Sequence, residues 1–340
     1  MYTIYSHFTD EIKNKYLQFL KSISNYSLLQ TIDWSYLKSD WIPYLITVEE
    51  DNTIKASTFV LKKELPIFHY SFLYSPRGLI FSDKKYLEEL TQGINKLAKQ
   101  EKAFIFKSDP PLDKSYKTLF TKYFQVNSEY LNFDGIQPKF ISELNLSVFS
   151  TEEEIINSFS SKTRYNINLA IRKGVTVSET TKIEDLESFY NLMKETGIRD
   201  NFKIRSFEYF KKMLFDLNKE NENSKLYITK YNNEILSGAI IIKHGDTIEY
   251  LYGASSNKHR NVMPNYLLQW EMIKYAFQNN YKHYSFGGIS GDISNPDNPL
   301  YGLYKFKSGF NTETKEFIGE IQIIYKPIVN KLFNIIKKYK

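Results

Sequence analysis

The feature that most constrains the fold is an order of predicted elements that occurs twice along the 340 residues. Each copy contains a helix, two strands joined by a tight turn, a longer strand, a second helix and a short strand. The elements are predicted at residues 10–23, 44–61, 69–80, 84–99 and 103–106 in the first copy, and at residues 183–196, 226–243, 247–254, 264–277 and 283–286 in the second. Two copies of one mixed α/β unit explain this order most economically.

The repeat divides the chain into two predicted domains, residues 1–150 and 151–315, each with an α/β (α+β) fold. A helical segment at residues 152–173 begins the second domain, and Thr151 is predicted to cap it. Residues 316–340 are predicted to add a strand and a short basic helix that packs back on the fold. We expect a monomer.

The composition excludes several kinds of chemistry. The chain has no cysteine, so it forms neither a disulfide nor a Cys-based zinc site. Its five histidines include no pair at i and i+4, so we expect no metal site. The GxSxG motif of a serine hydrolase is also missing. Without a secretory signal or a stretch of ~18 apolar residues, the protein is expected to be cytoplasmic.

The formal net charge of +6 permits an anionic partner without requiring one. Residues 159–178 contain four basic side chains and no acid, and residues 321–340 contain five lysines and no acid. Each run is either a solvated charged face or a surface for an anion. The second run also has apolar residues between its lysines. It therefore fits a helix that packs on its domain or one that contacts the inner membrane surface.

The turn before the second helix of each copy indicates whether the chain can bind a phosphate-containing cofactor. The repeated unit resembles the GNAT acyltransferase core, in which a glycine-rich turn at this position receives the pyrophosphate of acetyl-CoA. Here it reads Ser82-Asp83-Lys84-Lys85 and His259-Arg260-Asn261-Val262-Met263-Pro264. Neither turn has glycine, so no cofactor is expected and an acetyl-CoA-dependent N-acyltransferase is a disfavoured alternative. The glycine-rich residues 287–291 lack GxGxxG spacing and are expected to form a mobile loop.

Seven short motifs occur in order along the chain. They are Gln30-x-x-x-Trp34, Tyr74-x-Pro76-Arg77-Gly78, Lys162-x-Arg164-Tyr165-Asn166-Ile167, Tyr252-Gly253-Ala254-Ser255, Leu267-x-Gln269-Trp270, Tyr284-x-Phe286-Gly287-Gly288-Ile289 and Gly302-Leu303-Tyr304-x-Phe306-Lys307-x-Gly309-Phe310. Together they resemble the motifs of the Fem-type (FemABX) non-ribosomal peptidyltransferases. The resemblance implies two tandem GNAT-like domains, the first of which binds the acceptor.

The resemblance implies an aminoacyltransferase that moves an amino acid from aminoacyl-tRNA to the stem peptide of a peptidoglycan precursor, building the interpeptide bridge. Larger members insert a coiled-coil arm, for which residues 173–232 have no room. The chain therefore resembles the compact members, which act on UDP-MurNAc-pentapeptide, and lipid II is the other possible acceptor. A non-catalytic GNAT-like scaffold that binds cell-wall or polysaccharide precursors is the alternative function.

The resemblance also implies catalytic residues. Lys307 matches the lysine of the family's Phe-Lys pair, expected on a strand, where its charge would stabilise the oxyanion and protonate the departing ribose oxygen. Phe306 would stack on the terminal adenine of tRNA. Asp109 follows a buried strand and matches the family's proposed base, unless it only begins a turn.

Binding residues complete the expected site. Arginine and lysine suit the phosphates and carboxylates of the acceptor, and five positions match substrate contacts or could line the cleft: Lys38, Arg77, Arg205, Tyr209 and Tyr252. The acid-free run at residues 159–178, near the start of the second domain, is expected to contact tRNA phosphates through Lys162, Arg164, Arg172 and Lys173.

Overall fold

The computed structural model describes residues 1–23, 26–66, 69–219 and 222–338. The chain forms two compact units, residues 1–140 with 316–340 and residues 141–315. The second unit begins before the predicted boundary at residue 150, because the strand Phe140–Asn145 belongs to the second sheet.

The first unit has its elements in the predicted order. They are β1 (Tyr2–Tyr5), α1 (Asp10–Ser22), β2 (Ile42–Glu50), β3 (Thr53–Glu64), β4 (Ser71–Ser75), β5 (Ile80–Phe81), α2 (Leu87–Gln100), β6 (Ala103–Ser108), α3 (Lys117–Phe120) and β7 (Gln125–Asn127). Two 3-10 turns, Leu28–Gln30 and Ile32–Leu37, lie between α1 and β2. In α2, Leu90, Ile94 and Leu97 recur at helical spacing and are buried in the core.

The second unit repeats that order. Its elements are β8 (Phe140–Asn145), α4 (Glu152–Ser158), α5 (Ser161–Arg172), β9 (Thr176–Thr180), α6 (Ile183–Arg199), α7 (Phe207–Phe215), β10 (Ser224–Tyr231), β11 (Glu234–His244), β12 (Thr247–Ser255), α8 (Pro264–Gln278), β13 (His283–Ile289), α9 (Tyr301–Ser308) and β14 (Glu313–Glu316). The chain then returns to the first unit as β15 (Glu320–Ile324) and α10 (Pro327–Lys338). In the described part of residues 173–232, the helices are α6 and α7, of 17 and 9 residues.

Each sheet contains a parallel pair of strands in an equivalent place. The first sheet has the order β1-β2-β3-β4-β6-β15-β7, with β4 parallel to β6 and β5 paired to β3. The second has the order β14-β8-β13-β12-β11-β10-β9, with β12 parallel to β13. In the second sheet the parallel pair joins the strand before α8 to the strand after it. In the first sheet it joins β4 to β6, and the short β5 lies between β4 and α2 in the sequence. The predicted pair of mixed α/β units is confirmed.

The predicted third strand, residues 69–80, is interrupted between β4 and β5. The backbone there leaves the extended conformation, and Arg77 has a φ of +54°. Gln30, which is fully buried, binds this segment to β3. Its Nε2 donates to the Pro76 carbonyl at 2.7 Å, and its Oε1 accepts from the Phe59 N–H at 2.9 Å. Two of the sequence motifs therefore meet through one buried amide.

An aromatic cluster in the second unit packs Phe310, which follows α9, against the segment between α4 and α5 and against β13. The Phe310 ring lies 5.3 Å from that of Phe159 and 5.2 Å from that of Phe286, measured between centroids. A Cβ atom on Gly309 would lie 2.4 Å from Thr163 Oγ1, so glycine is needed for this close approach. The contact fixes the end of α9 against the first turn of α5.

Gln30→Ala is expected to reduce the free energy of unfolding by about 2–4 kcal/mol, because the Phe59 N–H and the Pro76 carbonyl would stay buried without partners. Equilibrium urea denaturation measures the loss. Gln100→Ala, at the exposed end of α2, is the matched control and should change stability by less than ~0.5 kcal/mol. Equal losses in the two variants would contradict the anchoring role of Gln30.

Candidate functional site

Asp109 lies directly after β6 in the first unit, with 3% of its surface exposed. The Tyr74 hydroxyl donates to its Oδ2 at 2.6 Å, and the Arg77 backbone N–H donates to its Oδ1 at 2.6 Å. Burial raises the pKa of this carboxyl, and the charge of Arg77 opposes the increase. Both oxygens of Asp109 thus have a donor inside the unit.

These contacts give Asp109 a positioning role. It fixes the backbone of Arg77, whose φ is positive, and it holds the phenol of Tyr74. Burial, together with the charge of Asp109, raises the pKa of Tyr74 well above its ordinary value. The role of Asp109 as a catalytic base stays a prediction.

The two expected substrate contacts of the first unit differ in exposure. The Arg77 guanidinium donates to the Pro138 carbonyl at 3.0 Å and lies 5.0 Å from the centroid of the Phe317 ring. With 9% of its surface exposed, Arg77 presents little of its charge to a substrate. Lys38 is half-buried, and its Nζ lies 5.4 Å from the centroid of the Trp34 ring.

Lys307 is a buried amine in the last turn of α9, with 4% of its surface exposed. Its Nζ donates to the Gly288 carbonyl at 2.7 Å. Burial lowers the pKa of Lys307 to about 7, although the charge of Glu249 acts in the opposite direction. At neutral pH the amine is therefore present in both its protonated and its neutral form.

The prediction that Phe306 and Lys307 lie on a strand is wrong, because both belong to α9. Phe306 lies in the last turn of α9, and Phe310 follows just after the end of that helix. Their ring centroids lie 5.0 Å and 5.9 Å from that of Tyr266. The Phe306 ring is half-buried by these contacts, and its stacking on adenine stays a prediction.

The expected loop at residues 287–291 starts later, at Ser290, because Gly287 and Gly288 continue β13. Gly287 has a φ of +71°, a conformation that glycine adopts at little cost. The next carbonyl, that of Gly288, receives the Lys307 amine. This glycine pair is therefore part of the framework that holds Lys307.

Three of the five expected substrate residues form one cluster in the second unit. The Arg205 guanidinium lies 5.5 Å from the centroid of the Tyr209 ring, which is 6.3 Å from that of Tyr252. Burial raises the pKa of Tyr209 well above its ordinary value, with a contribution from Tyr252. Acceptor binding was expected mainly in the first domain, but this cluster of a cation and two phenols is in the second.

Arg164 makes its hydrogen bonds to backbone groups of the second unit. Its guanidinium donates to the carbonyls of Asn157 and Phe159, the latter just past the end of α4. A cation there complements the unpaired carbonyls of a helix C-terminus. The Arg172 guanidinium lies 5.8 Å from the centroid of the exposed Tyr165 ring. The remaining expected tRNA contacts are exposed: Lys162, Arg172 and Lys173.

Sequence analysis did not select Tyr74 or Gly288, although both bind a candidate catalytic residue. Both residues could have been selected from the sequence, because each lies inside one of the seven motifs. Among the described residues, no group of three histidine or acidic side chains is arranged to hold a metal ion. Within the same ranges, no helix has both the length and the apolar character needed to cross a bilayer.

Comparison with known proteins gives consistent matches along the chain. The model described as the FemAB family matches residues 12–130, 123–216 and 214–338. A lipid II:glycine glycyltransferase of Staphylococcus epidermidis is 29% identical, over 95% of this chain and 93% of its own. A Staphylococcus aureus protein of the same name is 28% identical, over 94% of this chain and 93% of its own.

Solved structures agree with these matches. A crystal structure of FemX superposes with a TM-score of 0.84 at 27% identity, covering 97% of this chain and 99% of its own. A tandem GNAT protein from the clavulanic acid biosynthesis pathway has a TM-score of 0.55 at 9% identity, covering 95% and 98% of the two chains. The latter likeness concerns the fold alone, and it confirms the expected tandem GNAT-like architecture.

Lys307→Met is expected to stabilise the second unit at pH 7, because folding no longer has to remove a charged amine from water. The folded pKa of Lys307, about 7, is below the unfolded value of 10.5. Between these values the unfolded state binds more protons, so wild-type stability rises with pH by up to ~1.4 kcal/mol per unit. The advantage of the variant should therefore shrink as the pH rises above 7.

Urea denaturation at several pH values measures this difference. Lys305→Met is the matched control, because Lys305 is exposed on the same helix. Its stability relative to the wild type should not vary with pH over this range. A pH-independent difference for Lys307→Met would contradict a lowered pKa of Lys307.

Proposed function

This chain belongs to the FemAB family, and we propose that it transfers an aminoacyl group from an aminoacyl-tRNA to the stem peptide of a peptidoglycan precursor. Support comes from relatives that are named for the transfer of glycine to lipid II. The observation that carries the proposal is Lys307, a buried amine whose pKa of about 7 suits proton transfer at neutral pH. The product would be a branch of the interpeptide bridge.

The proposed reaction is the aminolysis of an ester. The acceptor amine attacks the ester carbonyl, a C–N bond forms, and the C–O bond to the ribose breaks. The amine loses one proton and the ribose oxygen gains one. Since the ester supplies the driving force, this step consumes no nucleotide. It does require a group that gives and takes a proton near neutral pH.

Lys307 meets this requirement. Its protonated form would stabilise the tetrahedral oxyanion and then give a proton to the departing ribose oxygen. The neutral form that results would accept the proton lost by the attacking amine. The bond to the Gly288 carbonyl holds the amine in one position throughout. In this proposal Asp109 acts through Tyr74, which it holds in place.

For the acceptor we favour the lipid-linked precursor, because the relatives are named for lipid II. UDP-MurNAc-pentapeptide is the other acceptor to be tested. Arg205, with Tyr209 and Tyr252, supplies a cation and two phenols for a phosphate or carboxylate of the precursor. Lys38 is the corresponding candidate in the first unit. A lipid-linked acceptor would bring the protein to a membrane surface.

The direct test is incubation with lipid II or UDP-MurNAc-pentapeptide and a mixed aminoacyl-tRNA pool. Mass spectrometry of the acceptor should show the addition of one amino acid. Lys307→Ala is expected to lower kcat by ~10²–10³ while precursor binding stays close to that of the wild type, because the charge acts in the transition state. Lys305→Ala, on the same helix, should retain wild-type turnover.

Two outcomes would overturn the proposed reaction, and a third would overturn the assignment of Lys307. Binding of a precursor with no added mass on either acceptor would favour a non-catalytic scaffold. An acetyl group added from acetyl-CoA would favour the other acyltransferase function. Wild-type kcat in Lys307→Ala would remove Lys307 from the chemistry.

We also propose that the exposed cations of α5 and its C-terminal end, Lys162, Arg172 and Lys173, contact phosphates of the tRNA acceptor end. Binding should weaken with salt with a log–log slope of ~2–4, and Arg172→Ala should reduce the slope by ~0.7. Lys194→Ala is the matched control, because Lys194 is an exposed cation over the Tyr190 ring. A charged minihelix should serve almost as well as whole tRNA, and strong discrimination against it would contradict this assignment.

A further inference from the structure

The helix α10 carries apolar side chains that point in two directions. Phe333 packs on the first unit, with its ring centroid 5.1 Å from that of Phe104 and 5.9 Å from that of Phe72. A second set is exposed, with 78%, 44%, 46% and 49% of the surface accessible at Ile328, Leu332, Ile335 and Ile336. Helical geometry places these four side chains in a stripe about 100° wide. We call it the α10 stripe.

The α10 stripe is unusual because it consists of large aliphatic side chains and is nevertheless exposed. Four large aliphatic side chains on consecutive turns normally face a core. Here the core contact is made by Phe333, on another side of the helix, so the stripe is not needed to hold α10 on the unit. A contiguous apolar surface of this kind indicates an interaction site.

The charge around the stripe is positive. No acid occurs from residue 321 to residue 338. Lys326 directly precedes α10, and Lys331 lies within it. A groove beside the helix is lined by six residues, three of them apolar: Ile324, Pro327, Asn330, Lys331, Asn334 and Ile335. Within the described residues, the Asn330 Oδ1 is buried and has no hydrogen-bond partner. The groove therefore places one cation, Lys331, next to apolar side chains.

This combination fits one kind of partner. An apolar stripe edged by lysines matches a bilayer, where acyl chains lie beneath a layer of phosphates. A second protein would have to supply an apolar face with acids at its edge. At 12 residues, α10 is too short to cross a bilayer, which takes ~20, so it would lie along the surface.

We propose that the α10 stripe docks the protein on the surface of a membrane that contains anionic lipids. The four aliphatic side chains enter the acyl boundary, and Lys331 binds the lipid phosphates. Phe333 stays packed on the first unit, so docking holds that unit at the surface. A lipid-linked acceptor is presented in the same place, but docking itself does not rest on the proposed transfer reaction.

Sedimentation with vesicles tests the proposal. The full chain should bind vesicles of phosphatidylglycerol and phosphatidylcholine in equal parts, and it should bind pure phosphatidylcholine more weakly. Raising the salt should weaken the first interaction. Ile328→Asp should reduce binding by ~10-fold or more, and Lys331→Ala by ~5-fold. Ile198→Asp is the matched control, because Ile198 is an 85% exposed isoleucine on α6, and it should bind as the wild type does.

The result that overturns docking is wild-type affinity in Ile328→Asp, or no binding of the wild-type chain to either vesicle. A dimer that Ile328→Asp dissociates, with no vesicle binding, would make the stripe a contact between copies and would also overturn it. Transfer to UDP-MurNAc-pentapeptide in the absence of vesicles should be the same in Ile328→Asp as in the wild type. That assay separates a failure of docking from a failure of the proposed function.

Discussion

The Lys307 amine is buried and donates to the Gly288 carbonyl. Many of the contacts described in the second unit hold these two groups in place. A buried ammonium loses its hydration, and one hydrogen bond to a carbonyl does not compensate for that loss. This loss of hydration is the reason why the pKa of Lys307 is lowered. An apolar side chain of similar volume is expected to fold more stably at this position, and the proposed transfer reaction would give the lysine a role there.

Several of the motifs build the support for this contact. The hydroxyl of Tyr284, on β13, donates to Gln269 Oε1 on α8 at 2.8 Å, which ties the strand of Gly288 to the helix behind it. Phe310 and Gly309 hold the end of α9 against the start of α5. Residues far apart in the sequence thus fix the two partners of one hydrogen bond.

The order of helices and strands could be predicted because it depends on local periodicity, near 3.6 residues in α2 and near 2 in the strands. The interruption after β4 could not be predicted in the same way. Its backbone is held by Gln30, which is 46 residues from Pro76 in the sequence. The helix at Phe306 and Lys307 was also missed, and there the Phe306 ring packs on Tyr266, a residue distant in the sequence. Charge alone also failed to show that Arg164 binds carbonyls at the end of α4.

The sequence suggested two acid–base residues, Asp109 and Lys307, and burial shifts their pKa values in opposite directions. Loss of hydration favours the neutral form of each, so it raises the pKa of Asp109 and lowers that of Lys307. Both oxygens of Asp109 already accept hydrogen bonds, from Tyr74 and from Arg77. The Gly288 carbonyl takes only one N–H of Lys307, and an ammonium has three. The lysine thus combines a pKa near neutrality with further hydrogens to donate, which is why we assign proton transfer to Lys307 and positioning to Asp109.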